Sequence, residues 1–323
     1  MRTRREFLRL LSAGSFGLAL PGAPEAGPKP LRGIFPIAQT PFTDSDKLDL
    51  DALVEQVRFV DHGRVHGFVW PQLASEWSTL TEPERLAGAE AIAATGRRLR
   101  PAIVLGVQGP DVAAAVRYAK HAEKAGADAL ISLPPSESSD PKVMLDYYKE
   151  VARATALPLF AQAVGKMSVE LLLEMHKAIP TLRYIKDEAG QPLARIGPLR
   201  EKSGDQLKVF SGAHGRTLIE EMRRGFSGSM PAASFADLYA QTWDLWQAGK
   251  RREAMEMHAR TLLILTDMGN YGFEGMKYIL VLRGVFKTYH SRSGQPQRGP
   301  RLDEAGKQAL REALEFVKPH LRA

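Results

Sequence analysis

The sequence predicts an α/β fold of the (β/α)8 TIM-barrel type with a C-terminal helical extension. From Gly33 onward, short β-branched or apolar runs alternate with amphipathic helical stretches at a spacing of roughly 20 to 30 residues, the signature of repeated βα units. Eight such units fit into about 200 residues, which favours a closed barrel over an open sheet. The composition agrees: of 323 residues, 44% are hydrophobic and 25% charged, ordinary for a globular chain long enough to bury a core.

The expected strands are Gly33–Ala38, Gly67–Trp70, Pro101–Gly106, Ala127–Leu133, Pro158–Ala163, Leu182–Lys186, Lys208–Ser211 and Phe226–Met230. Helical periodicity places helices between them at Asp49–His62, Glu82–Thr95, Asp111–Lys124, Asp140–Ala154, Ser168–Ala178 and Gly215–Arg224, with an eighth at Phe235–Ala248. Further helical patterns follow at Arg252–Met268, Phe273–Phe286 and Asp303–His320, the last preceded by the Ser-, Gly-, Gln- and Pro-rich stretch Ser291–Pro300. The barrel core is therefore expected over 27–232, and the last barrel helix with a helical cap over 233–323.

Residues 1–26 read as a leader outside the fold. Arg4-Arg5 with Phe7-Leu8 behind them precede an apolar run, Leu8 to Leu20, too short to span a bilayer, which is the pattern of a twin-arginine export signal. The expectation is a periplasmic or secreted protein that meets the twin-arginine translocon on its way out. The leader carries four Arg and two Glu, so the rest of the chain carries +5 of the formal +7. The chain has no cysteine, which excludes disulfide frameworks, thiolate metal sites, iron–sulfur clusters and cysteine nucleophiles. Basic residues alternate with acids, as in Lys250-Arg251-Arg252-Glu253, so no stripe for nucleic acid is expected. No metal or cofactor is called for either; His62 and His66 have helical spacing but no carboxylate cluster and read as a solvated pair.

In such a barrel the chemistry sits where strands run into their following loops. That rule collects Ser75 and Glu76 after the second strand, Gln162 after the fifth, Lys186, Asp187 and Glu188 after the sixth, and Ser211 and His214 after the seventh. Lys186 follows the apolar Tyr184-Ile185 and points its amine at a dry barrel mouth. Desolvation favours the free amine, the form that attacks a carbonyl to give a Schiff base. A structural ion pair with Asp187 or Glu188 is the competing reading on position alone. Gly212, Gly215, Gly225 and Gly228 suit tight turns and close backbone packing, with phosphate binding as the alternative. Trp70 and Trp77 flank the loop after the second strand, as wall packing or as the lining of an apolar pocket.

Several segments together resemble the dihydrodipicolinate synthase and N-acetylneuraminate lyase group of class I, Schiff-base aldolases. They are Gly33-Ile34-Phe35-Pro36-Ile37-Ala38-Gln39-Thr40-Pro41-Phe42, Gly67 to Glu76 with Thr79-Leu80-Thr81 and Glu84, His121–Ala129, Tyr184-Ile185-Lys186-Asp187-Glu188, Ser211-Gly212, and Gly225-Phe226-Ser227-Gly228-Ser229. The resemblance implies that Lys186 forms an imine with a small 2-oxo acid and that the protein is a homodimer or homotetramer.

The departures from that pattern are as informative. Gln72-Leu73-Ala74-Ser75-Glu76 stands where the family has a Gly-Thr-Thr-Gly-Glu loop for the substrate carboxylate, Pro134-Pro135-Ser136 where it has a tyrosine motif, and Gln162-Ala163 where it has its Tyr-Asn proton relay. A Gln amide does not titrate and is a poor relay. The expected substitutes are Glu188 and His214, or water on Gln162, for proton transfer, with Ala74, Ser75, Glu76, Ser136, Ser211 and Gly212 around the substrate. The sequence thus predicts a carbon–carbon or carbon–oxygen lyase acting on a 2-oxo acid outside lysine biosynthesis. The alternative is an inactive envelope protein that binds a small carbonyl or carboxylate ligand.

Overall fold

The structure is a computed structural model and describes residues 28–135, 139–293 and 300–323. The leader and Ser136 lie outside the described residues. Eight parallel strands run β1 (Gly33–Ile34), β2 (Gly67–Trp70), β3 (Ala102–Gly106), β4 (Ala129–Ser132), β5 (Leu159–Ala163), β6 (Leu182–Asp187), β7 (Lys208–Ser211) and β8 (Gly228–Ser229). Neighbours pair in the spatial order β1-β8-β7-β6-β5-β4-β3-β2. The ring closes through an Ile37–Val69 bridge, with Ala38 N–H donating to Val69 O at 2.9 Å. This is a (β/α)8 barrel.

The ends of the barrel wall are shorter than the sequence predicts. Phe35–Ala38 continues β1 as extended chain but makes only bridges, because Pro36 brings no N–H to a ladder. Gly228 sits where an added Cβ would meet the Gly33 carbonyl at 2.1 Å, so close approach of β8 to β1 requires glycine there.

Helices α1 (Leu50–His62), α2 (Glu82–Gly96), α3 (Val112–Ala125), α4 (Pro141–Arg153), α5 (Val169–Ala178), α6 (Pro192–Ser203) and α7 (Leu218–Arg223) connect the strands. Their starts are written in the sequence. Asp49, Thr81, Asp111, Asp140 and Ser168 each accept a backbone N–H from the first turn. The pattern does not predict α6, because Gly197 and Pro198 interrupt its periodicity; packing against β7 and α5 overrides that local penalty.

Behind the barrel follow α8 (Ala236–Gln247), α9 (Arg251–Gly269), α10 (Gly272–Leu282) and α11 (Glu304–Val317). Arg283, just past α10, makes a bidentate pair with Asp237 of α8 at 2.8 and 2.9 Å. Inside the barrel, alternate residues of each strand fill the lower layers. Phe160 stacks on Tyr184 with ring centroids 4.5 Å apart, and Phe35 and Phe210 meet edge-on at 5.3 Å. Ile37, Val104, Ile131 and Met230 belong to the same cluster. Among the described residues, no helix is long and apolar enough to cross a membrane.

Candidate active site

The aromatic plug fixes where the next inward layer lies. Successive strand residues point to opposite faces, so two positions beyond Phe160 and Tyr184 come Gln162 and Lys186, side by side in register at the C-terminal mouth. Lys186 is 4% exposed and its Nζ lies 2.8 Å from Glu188 Oε2. Gln162 Nε2 donates to the same carboxylate oxygen at 2.5 Å, and the Ala213 N–H approaches Oε1 at 3.3 Å. Burial raises the affinity of Glu188 for a proton. The Lys186 charge with its hydrogen bond, then Gln162 and Ala213, reverse that and leave the carboxyl below its ordinary range. Gln162 Oε1 is buried with no partner.

Gly212 makes this arrangement possible, since a Cβ there would meet the Glu188 side chain at 2.0 to 2.3 Å. It makes room for the acid rather than lining the substrate space. The next residue but one, His214, adopts a left-handed backbone at φ 53° and lines a cavity of about 330 Å³ together with Lys186, Glu188, Ala74 and, from the C-terminal helices, Phe273 and Met276. Burial, helped by the Lys186 charge, holds the His214 imidazole below its ordinary range, so it is neutral near pH 7.

Three residues expected around the substrate are placed elsewhere. Ser75 is fully buried: its hydroxyl donates to Ala38 O at 2.5 Å and accepts the Gln72 N–H at 3.0 Å, which makes it a brace of the loop after β2. Glu76 forms a fully buried ion pair with Lys277 of α10 and accepts from Ser291 Oγ at 2.6 Å and Ser293 N at 2.9 Å. Burial works against its ionisation; Lys277 and the two serines outweigh it and hold the carboxyl below the usual range. Ser211 follows the inward Phe210 and therefore faces out of the barrel, 2.5 Å from Glu221 Oε2 on α7. Asp187 likewise faces out and pairs with Arg195 at 2.8 Å, so Glu188 is the acidic partner of the lysine.

His62 is exposed and His66 half-buried, the Nδ1 of His66 accepting the Ile34 N–H at 3.2 Å. Among the described residues, no group of three or more His, Asp or Glu side chains is placed to hold a metal ion. Strand-exit reasoning missed Lys277, Phe273 and Met276, because they come from helices beyond the barrel, where no rule of position points to a site.

The model of the Dihydrodipicolinate synthetase family matches residues 30–315. The chain belongs to this family. Its members are lyases of the class I aldolase type, and this chain is an enzyme of that class. It is 27% identical over 238 residues to the 4-hydroxy-tetrahydrodipicolinate synthase of Rhizobium meliloti, covering 72% of this chain and 80% of the relative. To the L-2-keto-3-deoxyarabonate dehydratase of Azospirillum brasilense it is 25% identical over 279 residues, 83% of this chain and 90% of the relative. Among solved structures, a prophage protein of the dihydrodipicolinic acid synthase family from Escherichia coli K12, in complex with pyruvate, superposes with a TM-score of 0.80 at 22% identity, over 89% of this chain and 99% of that one. At that identity the likeness speaks for the fold.

Proposed function

We propose that the protein is a Schiff-base lyase that holds a 2-oxo acid as an imine on Lys186 and cleaves or dehydrates it, outside lysine biosynthesis. The observation that carries this reading is the lysine itself: a buried amine at the closed end of a cavity, beside the carboxylate of Glu188 at 2.8 Å. In this reading Glu188 takes a proton from the Lys186 ammonium, and the free amine attacks the C2 carbonyl. Loss of water gives an iminium, which accepts the electron pair of the C3–C4 bond in cleavage, or of the C3–H bond in dehydration, where the enamine then expels the C4 hydroxyl as water. Glu188 and neutral His214 pass protons in place of the missing tyrosine, with the Gln162 amide holding Glu188 in position. With the Ser75 hydroxyl engaged and its N–H donating to Gln72 O, the backbone N–H groups of Leu73 and Ala74 are left to hold the substrate carboxylate.

A dehydratase of a 2-keto-3-deoxy sugar acid among the relatives, and a fold neighbour solved with pyruvate, support a 2-oxo acid as substrate. The test is intact mass after incubation with pyruvate and borohydride. An adduct mapped to Lys186 is the expected result. No adduct with any 2-oxo acid on folded protein would leave a binding protein whose lysine is locked in its ion pair. The reading also includes export on the twin-arginine signal and a symmetric homo-oligomer. Full-length protein retained in the cytoplasm after fractionation, or a monomer by light scattering, would overturn those two parts.

A further inference from the structure

We infer that the substrate carries an apolar, aryl-type group beyond its reacting carbon, and that a side cleft over the mouths of β3, β4 and β5 receives it. The inference rests on the Schiff-base reading and names the substrate class for that same site. The cleft has a volume of about 550 Å³, and Leu73, Trp77, Leu133, Pro134, Met144 and Val164 form its apolar walls. Leu73 belongs both to this cleft and to the cavity over Lys186, so the two spaces meet at its side chain. It is 43% exposed, an apolar surface that a ligand seated across the junction would cover.

Among the described residues, the polar side chains of the cleft are already committed or lie at its rim. Gln108 donates through Nε2 to Pro71 O at 2.8 Å and accepts from Gln72 Nε2 at 2.8 Å, so both ends of its amide are occupied. Ser139 and Lys166 are exposed at the edge. A polyhydroxylated chain entering this space would exchange water for apolar walls and leave its hydroxyls without partners. A ring would bury its faces against Trp77 and Met144 at no such cost. Trp77 is itself steadied by the Arg85 guanidinium 5.8 Å from its ring. Leu73 and Ala74 occupy the places of two threonines in the family pattern, so the wall nearest the lysine has also lost its hydroxyls.

For a 4-aryl-4-hydroxy-2-oxobutanoate the chemistry balances without a further reactant. The Lys186 amine condenses with C2 and water leaves. Glu188 takes the proton of the 4-hydroxyl, the C3–C4 bond breaks, and its electron pair moves into the iminium to give an enamine while C4 departs as an aryl aldehyde. Glu188 returns the proton to C3, and water hydrolyses the imine to release pyruvate and the free amine.

The test compares 4-hydroxy-2-oxo-4-phenylbutanoate with 4,5-dihydroxy-2-oxopentanoate, which share the reacting half, by loss of substrate and by pyruvate release. Borohydride trapping of pyruvate on Lys186 runs in parallel. The aryl compound is expected to show at least a tenfold higher kcat/KM, and Trp77→Ala and Met144→Ser, both checked for folding by circular dichroism, to lower that preference tenfold through KM. Trapped pyruvate with equal or reversed preference, including no turnover of either compound, would overturn the inference and leave the lyase reading standing. So would variants that slow both compounds alike. If pyruvate is not trapped, the lyase reading fails and the inference falls with it.

Discussion

Glu221 offers a measurable pH dependence with a defined sign. It is 2% exposed and held by hydroxyls alone: Ser211 Oγ lies 2.5 Å from one carboxyl oxygen and Thr217 Oγ1 donates to the other at 2.8 Å. Ser211 Oγ is also 2.9 Å from Ser229 Oγ and has one hydrogen to give, an arrangement that suits a protonated Glu221 donating to Ser211. Burial pushes this carboxyl up to about 7 against the two hydroxyl hydrogen bonds. A carboxyl raised in the folded state binds more protons there than in the unfolded chain, so stability falls as pH rises from the ordinary 4.5 to about 7. At 1.36 kcal/mol for each pH interval the loss amounts to about 3 kcal/mol. Glu221→Gln mimics the protonated acid and should escape it. In urea unfolding from pH 4.5 to 8, the variant and the parent should be equally stable at the acid end and diverge to about 3 kcal/mol in favour of the variant at the alkaline end. A difference that stays flat with pH, or grows in the opposite sense, would refute the assignment of a neutral buried acid behind β7.

Three other outcomes follow from the geometry. Lys277→Met strands the buried Glu76 carboxylate and should cost about 3–5 kcal/mol, read by urea unfolding; adding Glu76→Gln should recover most of it, and full additivity of the two losses would argue against a direct pair. Glu188→Gln keeps the shape but removes the proton acceptor beside Lys186, so the rate of borohydride-trapped imine formation should fall by about 10²-fold or more; a rate within about threefold of the parent would move the base elsewhere. Ser75→Ala should lower stability by about 1 kcal/mol through the lost brace yet still trap pyruvate, whereas abolished trapping on folded protein would restore Ser75 as a substrate contact.

The barrel was legible because its strands are continuous buried runs and its helices begin with side-chain caps, both local signals. What the sequence hides is which way a residue faces when the deciding partner is far along the chain. Ser211 and Lys186 both stand at strand exits, but Lys186 shares its register row with Phe210 inside the barrel, and Ser211 shares its own with Asp187 outside. A pleat parity anchored on Phe210 would have separated them. Lys277 could not be found this way: a lysine on a helix reads as a solvated charge, and its burial is decided by Glu76, a partner from the opposite end of the chain. Glu188 and His214 reach the lysine because the residues after β6 and β7 fold back over the mouth, with Gly212 supplying the clearance.

The aromatic plug of Phe35, Phe160, Tyr184 and Phe210 closes the barrel beneath Lys186, so both products leave on the side of the C-terminal mouth. Under the proposed chemistry that makes release an ordered queue. The fragment beyond the broken bond is free as soon as the bond breaks, whereas the 2-oxo acid half stays tethered to Lys186 until water cuts it loose. The aldehyde should therefore depart first and the 2-oxo acid last. Added pyruvate would re-enter an empty enzyme and compete directly with substrate, while added aldehyde would meet an enzyme already occupied and give mixed inhibition.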